Sequence, residues 1–206
     1  RLIAQPRLAD LRWRAHVLFA QCAQRDPRAI ELRWIMRQDE QIAKPLELNR
    51  RLCRVPEIIE SSLTVVATEL EVTRIQVVKE YAGHIAPVRC DEAKMQQVFL
   101  SIFKNAIEAM TPGCILTISI NNQRVGRHLE VQILIKNNGV PIPAEHVDKV
   151  FEPFFTTKRS GTGLGLATVK KIVEEHQGHL GIASTPGEGT TVTIRLPGIS
   201  RGPIHR

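Results

Sequence analysis

The sequence predicts an α+β protein, in which an N-terminal helical hairpin precedes a mixed β-sheet with helices on one face. Apolar residues recur at helical spacing up to about residue 50, whereas strand-like alternation dominates later segments. Residues 1–10 contain no apolar core of a signal peptide, and no apolar run approaches the roughly 20 residues that span a bilayer. We therefore expect a cytoplasmic fragment, which leaves open a membrane anchor in the full-length protein.

The N-terminal quarter has the pattern of two helices joined by a short turn. Asp26 is a candidate N-cap and Pro27 a candidate first helical residue for the second helix. A hairpin this short buries little surface alone, so we expect a homodimer that forms a four-helix bundle. The alternative is that the hairpin folds onto its own C-terminal domain. The apolar seam of the first helix comprises Leu8, Leu11, Ala15, Leu18 and Cys22.

Pro56 marks the change of pattern, and we predict domains at 1–55 and 56–200, followed by a tail at 201–206. The segment "LTVVATEL" favours a helix, and Asp91 is a candidate N-cap for a long helix that "TPGC" ends. The loop "NQRVGRH" separates two strong strands. The predicted strands are "IQVVKEY", "ILTISIN", "LEVQILIKN", "GHLGIAST" and "TTVTIRLP", and another helix is predicted at 165–175.

Charge and cysteine content narrow the choice of function. The net charge is +7, and residues 1–54 hold 12 Lys and Arg against 6 Asp and Glu. With only 4% aromatic residues, this basic excess is as consistent with an acidic protein partner as with nucleic acid, and we expect no nucleic-acid binding. The four cysteines form no CxxC pair, so neither a zinc site nor a disulfide framework is indicated.

The segment "GTGLGLA" places three alternating glycines before a helix. It lacks the spacing of a P-loop, and no strand precedes it directly as the dinucleotide-binding fingerprint requires. Backbone N–H groups in such a turn can approach an anion, and the helix dipole favours a phosphate. Lys158 adds positive charge just before it. The alternative is a glycine-rich turn without a ligand.

Four blocks together resemble the catalytic domain of sensor histidine kinases, the Bergerat-type ATP-binding fold. They are "QQVFLSIFKNAIEAM", "IKNNGVPIP", "VFEPFFTTK" and "GTGLGLATVKKIVEEHQGHL" with "STPGEGTTVTIRLP" after it. Their order and spacing match the asparagine box, first glycine box, phenylalanine box and second glycine box of that family. The resemblance covers roughly residues 58–197. It implies an α/β sandwich that binds ATP and Mg²⁺, an upstream sensor domain and a response-regulator receiver domain as partner.

The resemblance also implies roles for individual residues. Asn105 would supply an oxygen to Mg²⁺, and Glu108 would assist a water or the metal, although a solvated helix glutamate is an equal alternative. Gly139 would allow close approach at the base, and Thr190 or Thr191 would lie near adenine, although both also suit a plain strand. The remaining cofactor-binding candidates are Asn137, Lys158, Gly161, Gly163, Leu164, Gly165 and Leu166.

The first glycine box departs from the family at Asn137, where the family has an aspartate that accepts the adenine amino group. An amide oxygen also accepts, but it has no charge, and the amide adds donors that need partners when buried. We expect adenine binding to be weaker by about 1–3 kcal/mol, or about tenfold or more. Pro141 replaces the second glycine of the same box and removes an N–H.

The phosphoacceptor histidine of the family has no counterpart in the first helix. Its expected place falls at or near Arg1, and the first histidine is His16, a turn or more too far along.

The sequence is compatible with three functions: a histidine kinase core that transfers phosphate through a histidine to a response regulator, a degenerate kinase acting as a dimeric scaffold, and an ATPase of another branch. The hairpin argues against the third. His176 and His179 are interpreted as structural, at a helix end where a cation complements the dipole.

Overall fold

The computed structural model describes residues 47–158 and 161–199. Residues 1–46, which hold most of the predicted hairpin and its dimer seam, and the tail at 201–206 lie outside these residues. Residues 47–54, the described end of the predicted hairpin domain, are not helical. Within the described residues as a whole, no helix combines the length and the apolar character that a membrane crossing requires. In chain order the elements are β1 (Arg51–Cys53), α1 (Val55–Val72), β2 (Gln76–Tyr81), β3 (Val88–Cys90), α2 (Glu92–Glu108), β4 (Ile115–Val125), β5 (His128–Asn137), α3 (Ala144–Val147), α4 (Gly165–Glu175), β6 (His179–Thr185) and β7 (Gly189–Pro197).

The main sheet has five strands in the order β2-β4-β5-β7-β6. Only the β2–β4 pair is parallel, and the other three pairs are antiparallel. The predicted α+β class with a mixed sheet is therefore confirmed. The parallel pair arises because α2 lies between β2 and β4 in the chain and carries it back across the sheet.

The core lies between one face of this sheet and the long helices. Alternate residues of the central strands are almost fully buried, as expected when only one face of a sheet is covered. The buried members in the three central strands are Leu116, Ile118, Ile120, Val131, Ile133, Ile135, Val192, Ile194 and Leu196. Their neighbours in sequence face the other side of the sheet, where exposure is higher.

Helix α2 is the centre of this core and packs against α1, α4 and β5. Its buried face repeats at helical spacing, and Phe99 and Phe103 stack with ring centroids 6.4 Å apart. The predicted N-cap is confirmed, because the Asp91 carboxylate accepts a hydrogen bond of 3.1 Å from the Lys94 N–H. The helix ends at Glu108, so its last turn carries Asn105 and Glu108 at the edge of the core.

The predicted loop at 122–128 is wrong for most of its length. The structure continues β4 to Val125, and Val125 pairs with His128 across a two-residue turn. Gly126 has a φ of +62°, which suits the tight turns of β-hairpins. The polar residues of this segment had suggested a loop, but their backbone groups are satisfied by cross-strand pairing and their side chains are largely exposed.

The segment before α1 is attached to the described unit. Strand β1 pairs antiparallel with β3, and Arg50 donates a hydrogen bond to the carbonyl oxygen of Glu175 at the end of α4. The Asn49 N–H donates to the Asp91 carboxylate at 3.0 Å. These contacts join residues before the predicted boundary at 55 and 56 to residues after it. The division of the chain into domains stays a prediction.

His176 joins the end of α4 to the start of α2. The Asp91 N–H donates to Nε2 at 2.9 Å, so Nε2 is unprotonated, and Nδ1 donates to the Ile172 carbonyl at 2.7 Å. Burial lowers the pKa of His176, and the nearby Arg50 acts in the same direction. The structural role is consistent with this geometry, but the expected cation is wrong, because a protonated ring loses the acceptor that Asp91 uses.

We predict that His176 makes stability fall in mild acid. Its pKa is lowered in the folded state from about 6.5, so the unfolded chain binds more protons as the pH falls below that value. The free energy of unfolding should therefore decrease from about pH 7 to 5, by about 1.4 kcal/mol for each unit of lowering. Denaturant titrations of the chain at several pH values measure this slope.

His176→Gln removes the titrating ring and should flatten the slope, whereas His179→Gln, at an exposed neighbour, should leave it unchanged. An identical slope in His176→Gln and the parent would contradict the assignment.

Candidate functional site

A cavity of about 790 Å³ lies between α2, the ends of β5, β6 and β7, and the segments on either side of α3. This volume is within the range of small-molecule and cofactor sites. Nine of the residues predicted from the sequence line it: Asn105, Glu108, Asn137, Lys158, Gly161, Gly163, Gly165, Leu166 and Thr190. The fold thus brings together residues from four separate blocks of the sequence.

One end of the cavity has an apolar floor built on three adjacent strands. Ile135 pairs with Val192, and Val192 pairs with Ile182, so the three side chains lie side by side on the helix-facing surface. One step further along, Asn137 pairs with Thr190. This end therefore offers a flat apolar surface that terminates in two polar side chains, an arrangement suited to a planar heterocycle.

Asn137 is 5% exposed, and its Nδ2 has no hydrogen-bond partner among the described residues. Its backbone is held firmly, because Gly189 passes so close to the Asn137 carbonyl that a Cβ there would overlap it. The next side chain, Asn138, accepts from the Ile115 N–H at 2.7 Å. A buried amide donor without a partner is costly, so this group favours a ligand that carries an acceptor.

Thr190 belongs to a small hydroxyl network at the same end. Its Oγ1 lies 2.9 Å from Ser184 Oγ, and either atom can donate. Ser184 also accepts from the Ile142 N–H at 2.8 Å, which ties β6 to the segment that follows Pro141. The network fixes the position of the Thr190 hydroxyl, which is 7% exposed as a residue.

A second part of the cavity, called here its polar end, is lined by charged and amide side chains. The Lys158 ammonium donates to Asn105 Oδ1 at 3.3 Å and forms an ion pair with Glu108. The Asn105 and Glu108 oxygens lie one turn apart on α2 and converge on one cation, the Lys158 ammonium. Oxygen is the ligand type that Mg²⁺ prefers. Among the described residues, no cluster of three or more His, Cys, Asp and Glu could hold a metal. A Mg²⁺ ion here would therefore need further oxygen ligands, which nucleotide phosphates supply.

The glycines of "GTGLGL" lie where side chains would obstruct the cavity wall. A Cβ on Gly165 would lie 3.1 Å from Ser101 Oγ, so the start of α4 passes closely over α2. Gly163 has a φ of +67°, and its carbonyl accepts from the Phe154 N–H at 3.0 Å. Phe154 also has a positive φ and is 42% exposed.

The structure adds residues that the motif analysis did not assign. His146 and Phe155 both line the cavity, and their rings meet edge to face with centroids 5.3 Å apart. The His146 Nδ1 atom is buried and has no partner among the described residues. Its position on the short α3 gives no sequence signal, because a four-residue helix shows no periodicity. Ile182 and Ser184 were likewise indistinguishable from ordinary strand residues.

Three predicted residues do not line the cavity. Thr191 follows Thr190 on β7 and faces the other side of the sheet, because side chains alternate along a strand. Leu164, the residue immediately before α4, is buried with 5% exposure and does not line the cavity. Gly139 lies against α2, where a Cβ would overlap the Ala109 carbonyl, and the Val140 N–H donates to that carbonyl at 2.8 Å.

We predict that Gly139→Ala destabilises the fold by about 1–3 kcal/mol, the usual range for overpacking, because the added methyl group displaces the segment from α2. The matched control is Gly83→Ala, where nothing lies within 4 Å of the added atom. We expect that control to change stability by less than about 0.5 kcal/mol. Chemical denaturation of both variants measures the difference, and equal stabilities would contradict the packing assigned to Gly139.

The chain is similar to known proteins in both sequence and fold. Residues 90–199 match the family model described as histidine kinase-, DNA gyrase B-, and HSP90-like ATPase. The chain is 34% identical over 158 residues to sporulation kinase E of Bacillus subtilis (strain 168), covering 76% of this chain and 21% of that protein. It is 32% identical over 157 residues to the sensor histidine kinase ZraS of Escherichia coli (strain K12), covering 76% and 33%. The chain thus spans a third or less of these relatives' lengths.

Solved structures agree in fold. The nucleotide-free catalytic domain of the histidine kinase ThkA is similar with a TM-score of 0.65 and 28% identity, covering 73% of this chain and 96% of that one. ThkA in complex with the response regulator TrrA is similar with a TM-score of 0.67 and 22% identity, covering 96% of this chain and 53% of that one. At that lower identity the likeness concerns the fold alone.

Proposed function

Because the chain belongs to the family of histidine kinase-, DNA gyrase B-, and HSP90-like ATPases and has a catalytic ATPase domain of the sensor histidine kinase kind, we propose that its cavity binds ATP with Mg²⁺. The activity proposed is phosphoryl transfer to a histidine and on to a response regulator in two-component signalling. The observation that carries this proposal is the convergence of Asn105, Glu108 and Lys158 at one end of a cavity whose other end is apolar.

The apolar end receives the base in this proposal. The surface of Ile135, Ile182 and Val192 supports one face of the ring, and burial of that face removes apolar area from water. Asn137 and Thr190 lie at the rim of the ring, where they hydrogen-bond to its polar edge. Because Asn137 is already buried, its hydrogen bonds form in a site from which water is largely excluded.

The polar end receives the phosphates. Lys158 neutralises negative charge there, and the glycines at 161, 163 and 165 leave the backbone close to the ligand. Asn105 and Glu108 direct oxygens toward the position that the Lys158 ammonium occupies in this structure, and Mg²⁺ would bind near it. When bound, Mg²⁺ supplies charge neutralisation of the phosphate oxygens, and most of the remaining contribution is positioning.

A degenerate kinase is the second candidate, in which the same fold acts as a dimeric interaction module with weak or no nucleotide binding. The neutral amide of Asn137 favours it, because this group lacks the charge that strengthens a hydrogen bond to an amino group. Titration of a fluorescent ATP analogue decides between the two. Sub-micromolar affinity would exclude the degenerate module.

The partners follow from the same proposal. ThkA forms a complex with its response regulator TrrA, and we propose a receiver domain of that kind as the partner of this chain. We also propose an upstream sensor domain and a homodimer formed by the N-terminal hairpin.

We predict that Asn105→Ala removes the Mg²⁺ dependence of nucleotide binding. In the parent chain, affinity for the ATP analogue should fall by about tenfold or more when EDTA replaces Mg²⁺, because Asn105 links the cation to the protein. In the variant the two affinities should be nearly equal. The matched control, Asn121→Ala on the opposite face of the sheet, should behave as the parent does. A full Mg²⁺ effect in Asn105→Ala would contradict the role assigned to it.

We predict that the chain is a dimer with twice its mass of 23.1 kDa, measured by light scattering. Leu11→Glu with Leu18→Glu places charges in the predicted seam and should yield a monomer. Ala9→Glu with Ala20→Glu makes the same charge change off the seam and should leave the dimer intact. A parent chain that is monomeric at high concentration would refute the bundle.

A further inference from the structure

We infer that Asn137 makes the base end of the cavity accept purines with a 6-oxo group as well as adenine, so that GTP and ITP bind comparably to ATP. The inference rests on the proposed function, because it requires a purine nucleotide in this cavity. It goes further by naming the residue that determines which purines bind. The reasoning depends on the hydrogen-bonding groups of one buried side chain.

The orientation of the base follows from the polarity of the cavity. Phosphates are drawn to Lys158 and the glycine segment, so the ring lies over the apolar floor and its far edge meets Asn137. Asn137 is 5% exposed, so it has little access to bulk solvent. Its Nδ2 has no partner among the described residues, so a hydrogen bond from that atom has to be made to a ligand.

The Asn137 amide has one acceptor and two donors, and its Nδ2 is the atom left without a partner. A 6-oxopurine offers a carbonyl acceptor beside the N1–H donor, which pairs with Nδ2 and Oδ1 together. Adenine offers the opposite pattern, an amino donor beside ring-nitrogen acceptors, and an asparagine amide pairs with that pattern too. Because an amide can present its two atoms in either order after a half-turn, both kinds of base can be satisfied.

A carboxylate at this position would discriminate. Both oxygens of an aspartate accept, so an aspartate pairs with the amino group of adenine, whereas on a 6-oxopurine it pairs with N1–H alone and repels the neighbouring carbonyl. Thr190, the other polar group at this edge, lies 2.9 Å from Ser184 Oγ, and Ser184 donates its own hydrogen to the Gly189 carbonyl at 3.2 Å, so Thr190 donates to Ser184 and offers a ligand only an acceptor. Of these two side chains, only Asn137 can therefore donate a hydrogen bond to a 6-oxo group.

The experiment measures competition of unlabelled ATP, GTP and ITP, each with Mg²⁺, against a fluorescent ATP analogue on the full chain. ITP carries the 6-oxo group without the 2-amino group of guanine, so it isolates the position that Asn137 contacts. In the parent chain, GTP and ITP should bind within tenfold of ATP. In Asn137→Asp, the preference for ATP over ITP should increase by about tenfold or more, the effect of one impaired buried hydrogen bond.

Asn121→Asp is the matched control, since it makes the same change on the opposite face of the sheet and should leave the preference unaltered. The parent measurement stands even if Asn137→Asp fails to fold. A parent preference for ATP above tenfold over both other nucleotides, or a shift below tenfold in folded Asn137→Asp, would overturn the inference. If none of the three nucleotides binds the parent, the proposed function itself fails, and the inference fails with it.

Discussion

The packing of α2 against the sheet is the constraint on which the rest of the structure depends. Its buried face, which includes Phe99, Ile102 and Phe103, fills the space between β5, α1 and α4. Because the helix has a period of 3.6 residues, this packing turns the last turn so that Asn105 and Glu108 face the cavity. A rotation of α2 would therefore disturb the core and the polar end of the site together.

The two ends of the cavity differ in how they meet a ligand. At the polar end, Lys158 already provides a cation to Asn105 and Glu108, so binding of a metal and phosphates exchanges one set of charge contacts for another. At the apolar end, Asn137 has a donor with no partner before a ligand arrives, so a hydrogen bond there is gained without breaking a protein contact. The hydrogen bond to the edge of the base is thus expected to contribute more to ligand affinity than the small area of that contact suggests.

The elements whose patterns are long or local could be predicted from the sequence. Helix α4, the N-cap at Asp91 and the strands of the main sheet follow from periodicity and capping. The loop predicted before β5 is too long, because polar residues between two strands resemble a turn until their partners are known. His146 and Ser184 were not predicted. Thr190 could not be separated from Thr191 in the sequence, because only the strand register decides which of the two faces the cavity. Such information lies in tertiary contacts rather than in local composition.

The central claim is that one ligand engages both Asn105 and Asn137. The most direct measurement is an NMR titration of the ¹⁵N-labelled chain with ATP and Mg²⁺, following the side-chain amide signals of asparagines. We predict that the Asn105 and Asn137 signals shift together along one saturation curve, while those of Asn121, on the opposite face of the sheet, remain in place. Saturable binding that moves neither Asn105 nor Asn137 would contradict the assignment of this cavity as the nucleotide site.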